Sequence, residues 1–182
     1  MAGPEIRIGN RIHFCSVLPL QIPLNARNTW YRIIHDKITP REKLHKCNPE
    51  FFTPNCPHCL RRRYNRRPTI ESSAHFLFHC PYKYEVWATA LAKYISPLLY
   101  SVNYNEYRHL LFMQSQFTTI SPHCPYQQLS VYQIFSCIQQ AIWHFHYRKV
   151  FKNVPFIPQT VLSYIDRSLN TLSSQLSLHT MI

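Results

Sequence analysis

Apolar residues recur at helical spacing over most of the chain, in short segments separated by proline-rich breaks. From Asn28 onward Trp30, Ile33 and Ile34 share one helical face. Thr39-Pro40-Arg41-Glu42 then predicts a capping box with proline in the first helical position, opening a second short helix. Ser72 or Ser73 can cap a short helix running through His79, and Pro81 can open another reaching toward Ile95. That helix turns Val86, Trp87, Ala90, Leu91 and Tyr94 inward and is stopped by Pro97. A shorter helix is expected around Glu106 to Met113. After the break at Ser121–Pro125 a long helix is expected from about Gln127 to Val150, with Val131, Phe135, Ile138, Ile142 and Phe145 on one stripe. The last helix carries Leu162, Ile165, Leu169, Leu172 and Leu176 at alternating three- and four-residue steps, a seam that should pack on the long helix.

Two stretches lack any such period. Residues 1–27, with Pro4, Pro19 and Pro23, read as an extended lead-in. Residues 48–70 combine prolines with a dense arginine run and no apolar stripe, so something other than a hydrophobic core must order them. The expected organisation is a lead-in over 1–27, a zinc-binding domain over 28–96 and a helical region over 97–182. Two glycines against fourteen prolines disfavour glycine-built phosphate loops and tight hairpins. The fold class is therefore mainly α: short helices around a single structural zinc site, followed by a small helical bundle.

Composition narrows the function classes. No apolar run approaches the length of a membrane span, and the broken run from Val17 to Leu24 lacks a leader-like cleavage site, so an intracellular, nuclear or cytoplasmic protein is expected, not a secreted or membrane one. Twenty Lys and Arg against eight Asp and Glu give a net charge of +12, a field that attracts polyanions. Two-metal polymerase or nuclease chemistry needs clustered carboxylates, whereas the two aspartates, Asp36 and Asp166, are far apart, so no enzyme is expected.

Seven cysteines without a leader point to metal ligands before disulfides. Cys56-Pro57-His58-Cys59 offers one closely spaced pair of ligands, and His75 with Cys80 offers a second, in the pattern Cys-x2-Cys-x15-His-x4-Cys. Four N or S ligands in two such pairs suit a structural, closed tetrahedral zinc site. His79 lies one turn after His75 and competes with Cys80, and His58 and Cys47 are also near in sequence. Cys80 is preferred because thiolate is the softer ligand and Pro81 ends the helix there. Cys15, Cys124 and Cys137 lack partners at ligand spacing and read as small apolar residues.

Trp30, Thr39-Pro40-Arg41, Cys56 and Cys59, Glu71, His75, Phe76-Leu77-Phe78, Cys80-Pro81 and Trp87 together resemble the zinc-binding domain that follows the polymerase in reverse transcriptases of non-LTR retrotransposons. The resemblance covers residues 28–87, and Ala141-Ile142-Trp143 with Arg148 is only loosely similar to that family's trailing helical region. It implies that Cys56, Cys59, His75 and Cys80 are the ligands, and that Glu71 either orients His75 or accepts hydrogen bonds from backbone amides. It also implies nucleic acid and a reverse transcriptase polypeptide as partners. The absence of a preceding polymerase palm and the long arginine-rich insertion depart from the family, as in a detached remnant.

Arg61, Arg62, Arg63, Arg66 and Arg67, with Tyr64 among them, form the candidate RNA- or DNA-binding segment: guanidiniums suit phosphate and tyrosine can stack on an unpaired base. Solvated loop charge, or neutralisation of a three-thiolate zinc site of net charge −1, competes with that reading. Two further alternatives are a protein-interaction module docking on a polymerase or on another copy, and a Cys-Pro-His-Cys thiol oxidoreductase, which would need the motif to follow a strand and open a helix.

Overall fold

The structure, a computed structural model, describes residues 22–59, 68–96 and 123–179. Its elements are α1 (Leu24–Ile34), α2 (Arg41–Cys47), a π-helical turn (His75–His79), α3 (Pro81–Tyr94), α4 (Val131–Lys152) and α5 (Pro158–His179). The fold is mainly α, as the periodicity predicts, and the described residues contain no strand beyond an isolated antiparallel bridge between Asn55 and Ile70. No described helix is long and apolar enough to cross a membrane. The expected helix around Glu106–Met113 lies outside the described residues, as does Cys15.

α4 is the hub. Twelve of its 22 residues are buried, including Gln133, Ser136, Gln139 and His146, so it is enclosed on more than the single stripe expected of a surface helix. It packs against α1, α3 and α5, while α3 also meets α5 and the π-helical turn. One hydrophobic cluster runs through all of these elements, with Trp30, Phe76, Trp87, Tyr94 and Phe135 as its largest members. The seam of α5 is used inside the chain: Val161, Ile165, Leu169 and Leu172 are buried and join that cluster. Cys124 and Cys137 are buried there too, as small apolar residues.

Local boundaries differ from the sequence reading in three places. α1 starts at Leu24, inside the stretch expected to be extended, because Pro23 precedes the first turn and its carbonyl accepts from the amides of Ala26 and Arg27. α4 starts at Val131 instead of near Gln127, because Ser130 and Gln133 form a reciprocal capping box: the Gln133 amide donates to Ser130 Oγ (3.3 Å) and the Ser130 amide to Gln133 Oε1 (2.7 Å). It ends at Asn153, whose φ of 52° provides the left-handed stop.

The third difference is at α2. Pro40 lies at the N-cap and no local side chain caps the helix, so the capping box expected from Thr39 does not form. Glu71, thirty residues away, takes its place: the Arg41 amide donates to Glu71 Oε1 (3.2 Å) and the Glu42 amide to the Glu71 carbonyl (3.3 Å). A carboxylate at the positive end of a helix is favoured by the exposed amides and the dipole together. Thr39 Oγ1 instead lies 3.5 Å from the Tyr147 hydroxyl of α4.

Candidate metal centre

The segment between α2 and the π-helical turn has no apolar stripe, and short backbone pairings organise it. The Cys56 amide donates to the Thr69 carbonyl (2.8 Å) and the Glu71 amide to the Pro54 carbonyl (2.9 Å), clamping 54–56 against 69–71. A turn follows at once and carries Cys56 and Cys59. On the other side, Ser72 Oγ accepts from the His75 amide (3.2 Å), as expected of a capping serine. The chain then makes five residues of π-helix, closed by the Cys80 amide donating to the His75 carbonyl (3.2 Å). The wider turn buries His75, Phe76, Leu77 and Phe78 consecutively while His79 stays exposed. Cys80 follows with extended backbone and Pro81 opens α3.

Cys56, Cys59, His75 and Cys80 converge here, all buried, with one ligand atom each and all four atoms within 4.8 Å of one another. Cys56 Sγ lies 4.0 Å and Cys59 Sγ 3.9 Å from Cys80 Sγ, and Cys59 Sγ lies 3.5 Å from His75 Nε2. The arrangement suits a single metal ion. It is the only such cluster of His, Cys, Asp and Glu among the described residues. Exposed His79 and Cys47 stand outside it. The Cys56 thiol is pushed up from its ordinary value by its contact with Cys80 first and by burial second. The contact with Cys56 alone would lower the Cys80 thiol, but the Cys59 contact and burial leave it raised on balance. Cys56 and Cys80 thus resist ionising together, and a bound cation removes that cost.

His58 turns away from the cluster into a buried polar chain that the sequence reading missed. His58 Nε2 lies 3.1 Å from His146 Nδ1, and Lys83 Nζ lies 3.1 Å from the same nitrogen. Lys83, with no exposed surface, also donates to the Phe76 carbonyl (2.6 Å) and sits 4.2 Å from the centre of the Phe76 ring. Because the lysine ammonium carries only donors, His146 Nδ1 is the acceptor and its proton is on Nε2, 3.8 Å from Glu71 Oε1. Burial first, then the positive charge of Lys83, lowers His146 well below its ordinary value and His58 to about 3, so both rings are neutral. The other Glu71 oxygen, Oε2, is buried without a hydrogen-bond partner among the described residues. Of the two roles open for Glu71, it takes that of backbone acceptor, through the Arg41 amide.

A signal for this chain was present in the sequence. Lys83 lies three residues before Val86 and four before Trp87, on the stripe that faces inward, and His146 lies four after Ile142 on the buried side of α4. The arginine run Arg61, Arg62, Arg63, Arg66 and Arg67, with Tyr64, lies outside the described residues; the clamp at 54–56 and 69–71 holds the chain together on either side of it. Asp36 and Asp166 are both engaged elsewhere: Asp36 pairs with Lys43 (2.8 Å), and Asp166 on α5 receives Lys93 (2.7 Å) and the Tyr94 hydroxyl from α3. Compared with protein-family models, curated proteins and solved structures, the chain matches none.

Proposed function

We propose that this chain is a zinc-clamped, non-catalytic nucleic-acid-binding module of the kind its sequence resembles, the zinc-binding domain of a non-LTR retrotransposon reverse transcriptase. The observation that carries the reading is the geometry of the four ligand atoms. A zinc tetrahedron with Zn–S of about 2.3 Å and Zn–N of about 2.0–2.1 Å has S–S edges of about 3.8 Å and S–N edges of about 3.5–3.6 Å. Three of the six pairs, at 3.9, 4.0 and 3.5 Å, sit close to those edges, and all six lie within 4.8 Å. Three thiolates and an imidazole are the donor set that favours zinc over harder cations. Four protein ligands leave no open position for water, so zinc here acts as a clamp and not as a reaction centre. Thiolate ligands persist in a reducing compartment, which fits a nuclear or cytoplasmic protein.

The nucleic-acid part rests on charge. The net charge of +12 and the five arginines between the two ligand pairs would place guanidiniums on a loop whose ends are tied together at the metal. A thiol oxidoreductase would need the motif to open a helix that lowers its thiol; here it lies in a turn and the Cys56 thiol is pushed the other way. An interaction module using the α5 seam loses that surface to the chain's own core.

Metal analysis of the purified protein tests the clamp: one zinc per chain is expected, lost in Cys80→Ser and kept in His79→Ala. The reverse pattern overturns the ligand assignment. Binding of RNA and DNA across a salt series tests the partner. Five phosphate contacts give a slope of log affinity against log salt near about −4.5 for duplex and about −3.5 for single strands, and salt-independent binding, or none, defeats it.

A further inference from the structure

On α4, Trp143, Tyr147 and Phe151 recur every four residues, so they form one strip with a rise of about 6 Å per step. The Trp143 and Tyr147 ring centres are 5.0 Å apart, and Tyr147 and Phe151 are stacked within 10° at 5.5 Å. Phe151, at the end of the strip, is 76% exposed. Trp143 and Tyr147 also line an open groove of about 530 Å³ whose other walls are α1 and Tyr164 of α5, the latter stacked on His144.

Two hydroxyls of that groove are engaged, Thr29 Oγ1 donating to the Asn25 carbonyl (2.8 Å) and the Tyr147 hydroxyl lying 3.5 Å from Thr39 Oγ1, but four of its polar side chains have no structural task among the described residues. The side-chain amides of Asn25 and Asn28 on α1 and of Gln140 on α4 make no hydrogen bond there, and the exposed guanidinium of Arg32 makes no ion pair. An apolar ligand would leave the amides unpaired, and an isolated phosphate would have no use for two aromatic faces. One ligand class uses all three: a heterocyclic base that stacks on an aromatic ring, bonds through its edge to amides, and brings a phosphate to the guanidinium. A base inside a duplex has both faces covered, so the ligand must be unpaired.

We infer that the groove between α1 and α4 binds an unpaired nucleobase of single-stranded nucleic acid, with Trp143 and Tyr147 as the stacking platform, Asn25, Asn28 and Gln140 reading the base edge, and Arg32 taking a phosphate. The inference rests on the nucleic-acid reading above and adds to it the place where a base is held. The groove is built from different elements than the arginine run, so a strand engaging both would be held by its backbone at one and by a base at the other. Arg32 adds one positive charge there to the chain's net charge of +12, which favours a polyanion.

Intrinsic fluorescence provides a direct readout, because Trp30 and Trp87 are each 1% exposed while Trp143 lines the groove. The zinc-loaded full chain is titrated with a 12-nucleotide RNA, a DNA of the same sequence and the corresponding RNA duplex. Stacking on Trp143 is expected to quench emission with both single strands and not with the duplex; a difference between the two strands reports whether the sugar is read. Trp143→Phe should abolish the quench while preserving the fold, since the ring still packs on Phe76. The exposed triple variant Asn25→Ala/Asn28→Ala/Arg32→Ala should weaken single-strand binding about tenfold, within the range for loss of contacts to one base. Binding by the wild type without quenching, or unchanged binding by the triple variant alongside loss on replacing the five arginines with alanine, overturns the inference and leaves the nucleic-acid reading standing. Failure of every nucleic acid to bind the wild type overturns both.

Discussion

Lys83 on α3 and His146 on α4 meet at 3.1 Å, both buried, and through them the segment carrying the Cys/His cluster is joined to the helical core. The chain of contacts runs from His58, between the two cysteines of the turn, through His146 to Glu71, which caps α2. Lys83 adds a positive charge beside a cluster that would carry net −1 with three thiolates and a divalent ion, and it lowers the cost of ionising Cys56 and Cys80. A role expected of the arginines is thus filled in part by a buried lysine.

Replacing that lysine separates its two jobs. Lys83→Met keeps the aliphatic stem but leaves the Phe76 carbonyl and His146 Nδ1 with one fewer donor, so a loss of about 1–3 kcal/mol is expected. For a chain of this size, 182 residues, that is a fall in Tm of roughly 2–12 °C in the zinc-loaded protein. Zinc affinity should fall as well, measured by competition with a chelator. Stability lost with zinc affinity unchanged would show that Lys83 has no electrostatic part in the site.

Glu71 caps α2 from thirty residues away, so its replacement should loosen a helix that it does not belong to. Glu71→Ala is expected to cost about 0.5–2 kcal/mol, the range for loss of an N-cap acceptor. Hydrogen exchange over 41–47 would read the effect locally. Protection of those amides equal to the wild type would place the α2 anchor elsewhere.

Metal removal should act unevenly. Residues 48–59 and 68–72 have two of the ligands and short backbone clamps but few apolar contacts, whereas α1, the π-helical turn, α3, α4 and α5 share one hydrophobic cluster. Chelation is expected to remove hydrogen-exchange protection from 48–59 and 68–72 while most of the far-ultraviolet helical signal remains. Structural zinc contributes about 10–16 kcal/mol in small finger peptides, far more than those clamps can replace. Retained protection across 48–59 and 68–72 after complete chelation would show that the segment orders without its ion.

Acid should destabilise the protein in a window set by two histidines. In the unfolded chain each takes up a proton near pH 6.5, while in the folded chain burial, and then Lys83, holds His146 well below that value and His58 at about 3. Below pH 6.5 the unfolded state therefore binds protons that the folded state does not. The stabilisation is complete above pH 6.5 and is lost as pH falls, by about 1.4 kcal/mol per pH unit for each histidine. Loss of thiolate ligands steepens the same limb, so the comparison is with His146→Gln, whose denaturation midpoint from pH 7.5 to 5.5 should fall with a slope shallower by about one proton. Identical slopes would remove His146 from this account.

The sequence by itself determined the helical class, the inward stripes of α3 and α4 and most of that of α5, where Val161 is buried and Leu162 and Leu176 are half-buried, the serine and proline that open the π-helical turn and α3, and the four residues of the Cys/His cluster. These are local matters: a 3.6-residue period, a cap within three residues, or two ligands a turn apart leave their mark on neighbouring positions. Cys80 over His79 was already favoured, and the π-helical turn explains the outcome, since it buries the run from His75 to Phe78, leaves His79 in solvent and brings Cys80 to the cluster. Only the tertiary structure decided that α2 is capped by Glu71 in place of Thr39, and that Lys83, His146 and His58 meet. Those partners are separated by 30 to 88 residues, and nothing in a linear pattern reports which buried polar group will face which. Burying a charge is costly until a partner arrives from another element, so the choice belongs to packing and not to the segment that carries the charge.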